Sequence, residues 1–359
     1  MNITKIDKNL AVEAVINKDD IKYYDVADGT FGLYGLYKPY GKKSFTRMPE
    51  EIADNVSEGV KHLNHIYTGA RVRFITNSKY VAVSSEFLDA SFAISSKSSL
   101  LSTTGMDLYI MENGKQRYYS SMIPPVEFKN YYEQIIEFCD ESEREIILYL
   151  PKTNCATNMK IGLQEKAYIK KSGYKYEKPI LYYGSSITQG GCATRGGNIY
   201  PSMVSRYFES DFVNLGFSGN CKGEDLMAEY IASCDMSIFV YDYDHNAPSA
   251  DYLRETHEKL FKTFRKSHPD TPVIFMSKTD IPRTPGEYKA VENRKKVILD
   301  TYNNAINSGD KNVYFIDGQE IFKIAGGADC TMDGCHPNDL GFWCMAQAVI
   351  KVIEENKLL

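Results

Sequence analysis

A serine near the middle of the chain and a histidine near its end carry chemistry that the rest of the sequence must organise. Ser186 sits in Tyr182-Tyr183-Gly184-Ser185-Ser186-Ile187-Thr188-Gln189-Gly190-Gly191, an apolar run that turns into a glycine-bracketed loop. The glycines let the backbone turn sharply and leave room for a substrate. A serine hydroxyl becomes a nucleophile only with a base to take its proton, and His336 of Asp333-Gly334-Cys335-His336 is the candidate. Asp333 offers a carboxylate to the other ring nitrogen, fixing the tautomer and stabilising the imidazolium. A tetrahedral intermediate also needs donors aimed at its oxyanion. Three are available: the N–H of Ser186, the N–H of Gly219 in Gly216-Phe217-Ser218-Gly219-Asn220, and the side-chain amide of Asn246 in Asp242-Tyr243-Asp244-His245-Asn246. Each fragment alone reads as an ordinary turn or helix cap. Jointly they supply the separate requirements of acyl transfer through an acyl-serine, with neither a metal nor an organic cofactor.

These groups can meet only if the elements between them bring them to one edge of a sheet. Strand-like runs fall at Ile180 to Tyr183, Phe212 to Leu215, Ser237 to Tyr241, Val273 to Met276 and Val313 to Ile316. Helical patterns alternate with them at Tyr200 to Phe208, Glu224 to Ile231, Tyr252 to Phe264, Tyr288 to Ile306 and Leu340 to Ile353. Such alternation calls for an α/β fold, a parallel sheet flanked by helices in three layers, with ligands bound outside the carboxyl ends of the strands. Ser186, the Gly219 loop and Asn246 each follow such a strand.

Residues 1–175 read differently. Ala70 to Ile75 alternates, Ile146 to Leu150 is an apolar run stopped by Pro151, and Asn113-Gly114 between two apolar runs is a two-residue hairpin signal. Several strands spaced by turns predict an all-β sandwich or jelly roll, with helical stretches at Pro49 to Val60 and Tyr131 to Phe138. The polar segment Lys170 to Pro179 reads as the linker, so the expected domains are 1–175 and 176–359.

Composition narrows the function. A net charge of -5 without a dense Lys/Arg run argues against nucleic acid or an anionic membrane as partner. No apolar stretch is long enough to span a bilayer, and the N-terminus lacks a leader pattern, so the expected location is cytoplasmic. None of the eight cysteines forms a Cys-x-x-Cys pair, and six follow residue 180, which fits buried reduced thiols.

Ser186, Gly219, Asn246 and His336, in that order on an α/β chain, resemble the four blocks of the SGNH (GDSL-like) hydrolases. Where that family commonly has Gly-Asp-Ser, this chain has Gly184-Ser185-Ser186. The motif register assigns the nucleophile to Ser186, with Ser185 as the alternative. Gly105-Met106-Asp107-Leu108-Tyr109 likewise resembles the Gly-x-Asp-Leu-Tyr signature of the jelly-roll domain preceding some of these enzymes. The combination is similar to two-domain carbohydrate esterases. It implies a serine esterase that removes acetyl groups from oligosaccharides or polysaccharides of mannan or xylan type. A lipid esterase or acyl thioesterase would use the same site, and a carbohydrate-binding protein on a decayed scaffold is the non-enzymatic alternative. Self-association into a homo-oligomer is compatible with the sequence.

Three further residues lie near these motifs. Arg195, in the loop after Ser186, is a substrate-contact candidate or an ion-paired arginine. Trp343 on the last helix is a core residue by its neighbours Gly341, Phe342, Met345 and Ala346, with sugar stacking as the second reading. His245, with Asp242 and Asp244, reads as part of a hydrogen-bonded loop and not as the base or a metal ligand.

Overall fold

Alternation of apolar and polar side chains builds the first half into two antiparallel sheets. The computed structural model describes residues 3–12, 15–87 and 97–359, and counts below refer to these. The strands are β1 (Ile21–Asp25), β2 (Gly32–Tyr34), β3 (Arg71–Thr76), β4 (Tyr80–Phe87), β5 (Met106–Glu112), β6 (Lys115–Met122), β7 (Tyr131–Glu137), β8 (Arg144–Tyr149), β9 (Ala156–Gln164) and β10 (Ile169–Lys171). One sheet has the order β1-β9-β4-β7, the other β10-β3-β8-β5-β6 with β2 on β3. A single apolar core spans both, joining Val81, Ile136 and Ile161 to Phe74, Leu108 and Leu148. This is the jelly-roll-like sandwich. Asn113 and Gly114 both take positive φ, 51° and 74°, in the tight turn between β5 and β6, as the Asn-Gly pair requires. Tyr131–Glu137 is the strand β7 and not a helix.

The second half is a five-stranded parallel sheet ordered β12-β11-β13-β14-β15, from β11 (Tyr176–Gly184), β12 (Ser210–Gly216), β13 (Ile238–Asp242), β14 (Val273–Met276) and β15 (Val313–Ile316). Its central strands are buried on both faces, which is why they read as continuous apolar runs. Alternate residues of β11 serve opposite layers. Leu181 and Tyr183 join a core with Phe239, Tyr241, Leu260 and Phe264, while Tyr182 packs edge-on against Tyr200 and Phe212. The sheet begins at Tyr176, inside the segment expected to be a linker.

The chain forms two compact units: up to Thr46, His65–Gly173 and Thr194–Gly197 in one, and Arg47–Asn64, Tyr174–Ala193 and Asn198–Leu359 in the other. Helices α1 (Glu50–Val56) and α2 (Glu58–Asn64) therefore belong to the parallel-sheet unit despite their place in the first half. The cause is packing. Met48, Ala53 and Val60 are buried in one cluster with Leu215, Phe217 and Met227. Arg47 is fully buried and donates from Nη1 to the carbonyls of Asn214 and Gly216, both at 2.8 Å.

Candidate active site

Because β12 and β13 flank β11 on opposite sides, the strand order reverses at the carboxyl end of β11, the place where open α/β sheets leave a crevice. Ser186 lies there. After the sandwich helix α3 (Leu100–Thr104), the next helix in the chain is the single turn α4 (Ser186–Gln189), and Ser186 is its first residue. Ser185 is its N-cap, with Oγ accepting the N–H of Ile187 at 3.1 Å.

The turn is pressed tightly against the strand ends. A Cβ on Gly184 would stand 2.6 Å from the Asp242 carbonyl oxygen, and one on Gly216 only 2.3 Å from the Gln189 nitrogen. Only glycine allows that approach. Polar side chains then fix the turn from below. Thr188 donates to Asp242 Oδ2 at 2.8 Å, Asn214 Nδ2 donates to the Thr188 carbonyl at 2.7 Å, and Gln189 Oε1 accepts the N–H of Ser218 at 2.8 Å. Burial pushes the Asp242 carboxyl up to about 6, against hydrogen bonds and a neighbouring imidazole that favour its charged form. These supports were missed by sequence reasoning. The polar positions in and after the strands, Thr188 and Asn214 above all, were the available signal.

Ser186 Oγ stands 3.0 Å from His336 Nε2, and His336 Nδ1 stands 2.9 Å from Asp333 Oδ2. The histidine comes from the loop before α10 (Asp339–Asn356), which follows α5 (Tyr200–Phe208), α6 (Asp225–Ser233), α7 (Ala250–Ser267), α8 (Pro285–Asn307) and α9 (Gly318–Ile321). Asp333 shapes that loop as well as facing the imidazole, since its Oδ1 accepts the N–H groups of Cys335 and His336 at 3.0 and 2.8 Å. The loop is tied down by two backbone bonds, Met332 N–H to the His336 carbonyl and Ile281 N–H to the Gly334 carbonyl, both 2.8 Å. Hydroxyl, imidazole and carboxylate thus form one chain at proton-transfer distances.

The expected oxyanion donors lie on the neighbouring strand ends. Gly219 has φ +69° and no atom within 4 Å of the place a Cβ would occupy, so the approach to its backbone is open. Asn246 Oδ1 accepts the N–H of Cys221 at 3.3 Å, which orients the amide and leaves Nδ2 as its donor. The N–H of Ser186, at the first helical position, has no partner within its own helix.

The remaining candidates have partners of their own or none in the core. Arg195 belongs to the sandwich unit, where its guanidinium lies 3.9 Å from the Tyr118 ring centroid and 3.7 Å from Asp107 Oδ1. Asp107, of the Gly-x-Asp-Leu-Tyr motif, also accepts the Gly197 N–H through Oδ2 at 2.8 Å. The motif aspartate therefore holds residues 195–197 in shape. Trp343 is 46 % exposed and not a core residue. His245 is drawn toward Asp280, while Asp244 accepts from the Lys278 N–H and from Arg294.

A buried-strand serine turn at the switch point of a parallel sheet, backed by a Ser–His–Asp chain, is an arrangement fitted to ester hydrolysis on an α/β fold. Residues 177–354 match the GDSL-like lipase/acylhydrolase family, and residues 21–169 match the N-terminus of the SGNH-hydrolase-type esterases. The chain belongs to the SGNH/GDSL hydrolases with an N-terminal β domain, and it is a carboxylic ester hydrolase. Among solved structures it is similar to a Bacteroides ovatus protein described as a GDSL-like lipase, at 28% identity and a TM-score of 0.84, covering 93% of this chain and 97% of that one. The salicylyl-acyltransferase SsfX3 of a tetracycline biosynthetic pathway shares the fold at 16% identity and a TM-score of 0.78, covering 96% and 99%. An acetyl xylan esterase, Est2A, from Butyrivibrio proteoclasticus shares it at 11% identity and a TM-score of 0.60, covering 94% and 98%. No curated protein matches the chain. Among the described residues, no helix is long and apolar enough to cross a membrane.

Proposed function

We propose that the protein is a serine esterase that removes O-acetyl groups from plant-derived oligosaccharides or polysaccharides of mannan or xylan type. The observation that carries the reaction class is the continuous chain from Ser186 Oγ through His336 to Asp333, at 3.0 and 2.9 Å. In the first half-reaction Ser186 Oγ attacks the ester carbonyl as its proton passes to His336 Nε2. Asp333 stabilises the imidazolium. The N–H groups of Ser186 and Gly219 and the Asn246 Nδ2 receive the oxyanion. Collapse breaks the ester bond, and His336 returns the proton to the leaving sugar hydroxyl. Water, activated by the same imidazole, then releases acetate and frees the serine.

In this reading residues 176–359 make up most of the catalytic domain, to which Arg47–Asn64 add α1 and α2, and the rest of 1–175 is an accessory domain. The name of the acetyl xylan esterase relative supports the sugar substrate. The test is release of 4-nitrophenol from its acetate ester by wild type and Ser186→Ala, followed by acetate release from acetylated xylan and mannan oligosaccharides. Full activity in Ser186→Ala would sink the serine mechanism. Preference for long-chain acyl esters over acetylated glycans would assign a lipid esterase or thioesterase. Glycan binding without any hydrolysis would assign a binding protein.

A further inference from the structure

Behind the Asp333–His336 loop, three residues from distant parts of the sequence converge. His245 follows β13, Asp280 follows β14, and Cys335 lies between Asp333 and His336. One donor atom from each, an imidazole nitrogen, a carboxylate oxygen and the thiol sulfur, lies within 4.8 Å of the other two. In a tetrahedral zinc site with bonds of about 2.0–2.3 Å, the donors stand roughly 3.3–3.8 Å apart. A contraction of about an ångström completes the set.

The imidazole is the second observation. The His245 side chain is only 5 % exposed, Nδ1 has no hydrogen-bond partner, and Nε2 has no well-aligned one. Nε2 is 3.2 Å from Asp280 Oδ1, but the alignment is poor and Asp280 Oδ1 also lacks a hydrogen bond. Leaving a buried polar group unsatisfied costs about 1–3 kcal/mol, so a ligand between these atoms would explain what an ion pair alone does not.

Carboxylates face the imidazole on both sides. Asp242 Oδ1 stands 4.0 Å behind His245 Nδ1, the place a carboxylate takes behind a metal-bound histidine. Lys278 holds the other Asp280 oxygen, Oδ2, at 2.6 Å and leaves Oδ1 facing His245. A cavity of about 310 Å³, lined in part by Lys278, Asp280, Asp333 and Cys335, gives an ion a route and a water its place.

We propose that His245 Nε2, Asp280 Oδ1 and Cys335 Sγ form a site for a zinc-class divalent cation, with water as the fourth ligand. Nitrogen, oxygen and sulfur donors together select zinc or cobalt over magnesium or calcium. Coordination replaces the thiol proton, which leaves to solvent. The sequence reading takes His245 as part of a hydrogen-bonded loop and not as a ligand; the proposal instead gives it partners from segments far away in the chain. Ser186 supplies none of the ligands, so binding at the site can be tested apart from the esterase reading.

The test is cobalt titration of the full chain after chelator dialysis, read by thiolate-to-cobalt charge-transfer absorption in the near ultraviolet. One equivalent should bind with that band present. Cys335→Ser should abolish the band, and His245→Gln, which keeps the thiol, should weaken binding at least tenfold. Ser186→Ala should bind as wild type does, so loss of esterase activity and loss of the site are distinguishable. Absence of the band in wild type, or its survival in Cys335→Ser or unchanged affinity in His245→Gln, would overturn the proposal.

Discussion

Ser185 Oγ accepts the N–H of Ile187 at 3.1 Å, while Ser186 Oγ, one residue on, stands 3.0 Å from His336 Nε2. The two adjacent hydroxyls are thereby divided between a cap and a nucleophile position. An aspartate before the nucleophile, usual in the family, can cap the same turn, so serine keeps the hydrogen bond and loses only the charge. Ser185→Ala should lower stability by about 1 kcal/mol in urea unfolding and leave most of kcat. Ser185→Asp should restore the stability. A collapse of kcat in Ser185→Ala to the level of Ser186→Ala would move the nucleophile to Ser185.

Asn246 is oriented by the Cys221 N–H. Asn246→Ala should lower kcat by about 10²- to 10³-fold with little change in KM, the usual cost of one oxyanion donor. An unchanged kcat on 4-nitrophenyl acetate would remove Asn246 from the site.

Gly191 lies against the reacting pair. A Cβ there would come within 3.2 Å of the Ser186 carbonyl oxygen and 3.5 Å of His336 Cδ2. Gly191→Ala should press on the Ser186 carbonyl, shift the nucleophile turn and lower kcat by about 10- to 100-fold, with folding intact by circular dichroism. Wild-type kcat would mean that the turn gives way without moving the serine.

How much of this was legible follows from the range of each interaction. Buried parallel strands read clearly because their apolar runs are uninterrupted, and Val273–Met276 and Val313–Ile316 have the expected bounds. Tyr131–Glu137 did not read as a strand because it lies at a sheet edge, where mixed exposure blurs the period of two. Trp343 shows the same limit on a helix. The period is present, but Trp343 shares a face with exposed Leu340 and Lys351, while Phe342, Met345 and Val349 take the core. The site motifs read because each is local. Arg47 beneath the Gly216 loop and the His245–Asp280–Cys335 cluster depend on contacts between distant segments, which no local pattern encodes.

His257 gives the fold an acid-sensitive element. It is fully buried, stacked 4.4 Å from the Tyr241 ring, and burial pulls its pKa from 6.5 down to about 3. The unfolded chain takes up a proton near 6.5 while the folded one does not, so stability is full above that pH and lost as pH falls toward 3. The loss is on the order of 4 kcal/mol by pH 3. His257→Gln should flatten this slope in urea unfolding measured from pH 7 to pH 4. An unchanged slope would show that the imidazole accepts a proton in place.

Asp242 works in the opposite sense. Its folded value of about 6 lies above the ordinary 3.8, so its contribution is full below pH 4 and lost as pH rises through 6, by about 3 kcal/mol. Asp242→Asn, which keeps an acceptor for Thr188, should therefore gain stability relative to wild type between pH 4 and pH 7. No relative gain would mean that the carboxylate is ionised at no cost.

The central claim is that Ser186 carries the acyl group. The most direct measurement is intact-protein and peptide mass spectrometry after millisecond quench of the wild-type reaction with 4-nitrophenyl acetate, with Ser186→Ala alongside. The account expects one acetyl group on the peptide containing Ser186, and none in Ser186→Ala. An acetyl group on another residue that forms and decays at the turnover rate, or turnover undiminished in Ser186→Ala, would contradict it.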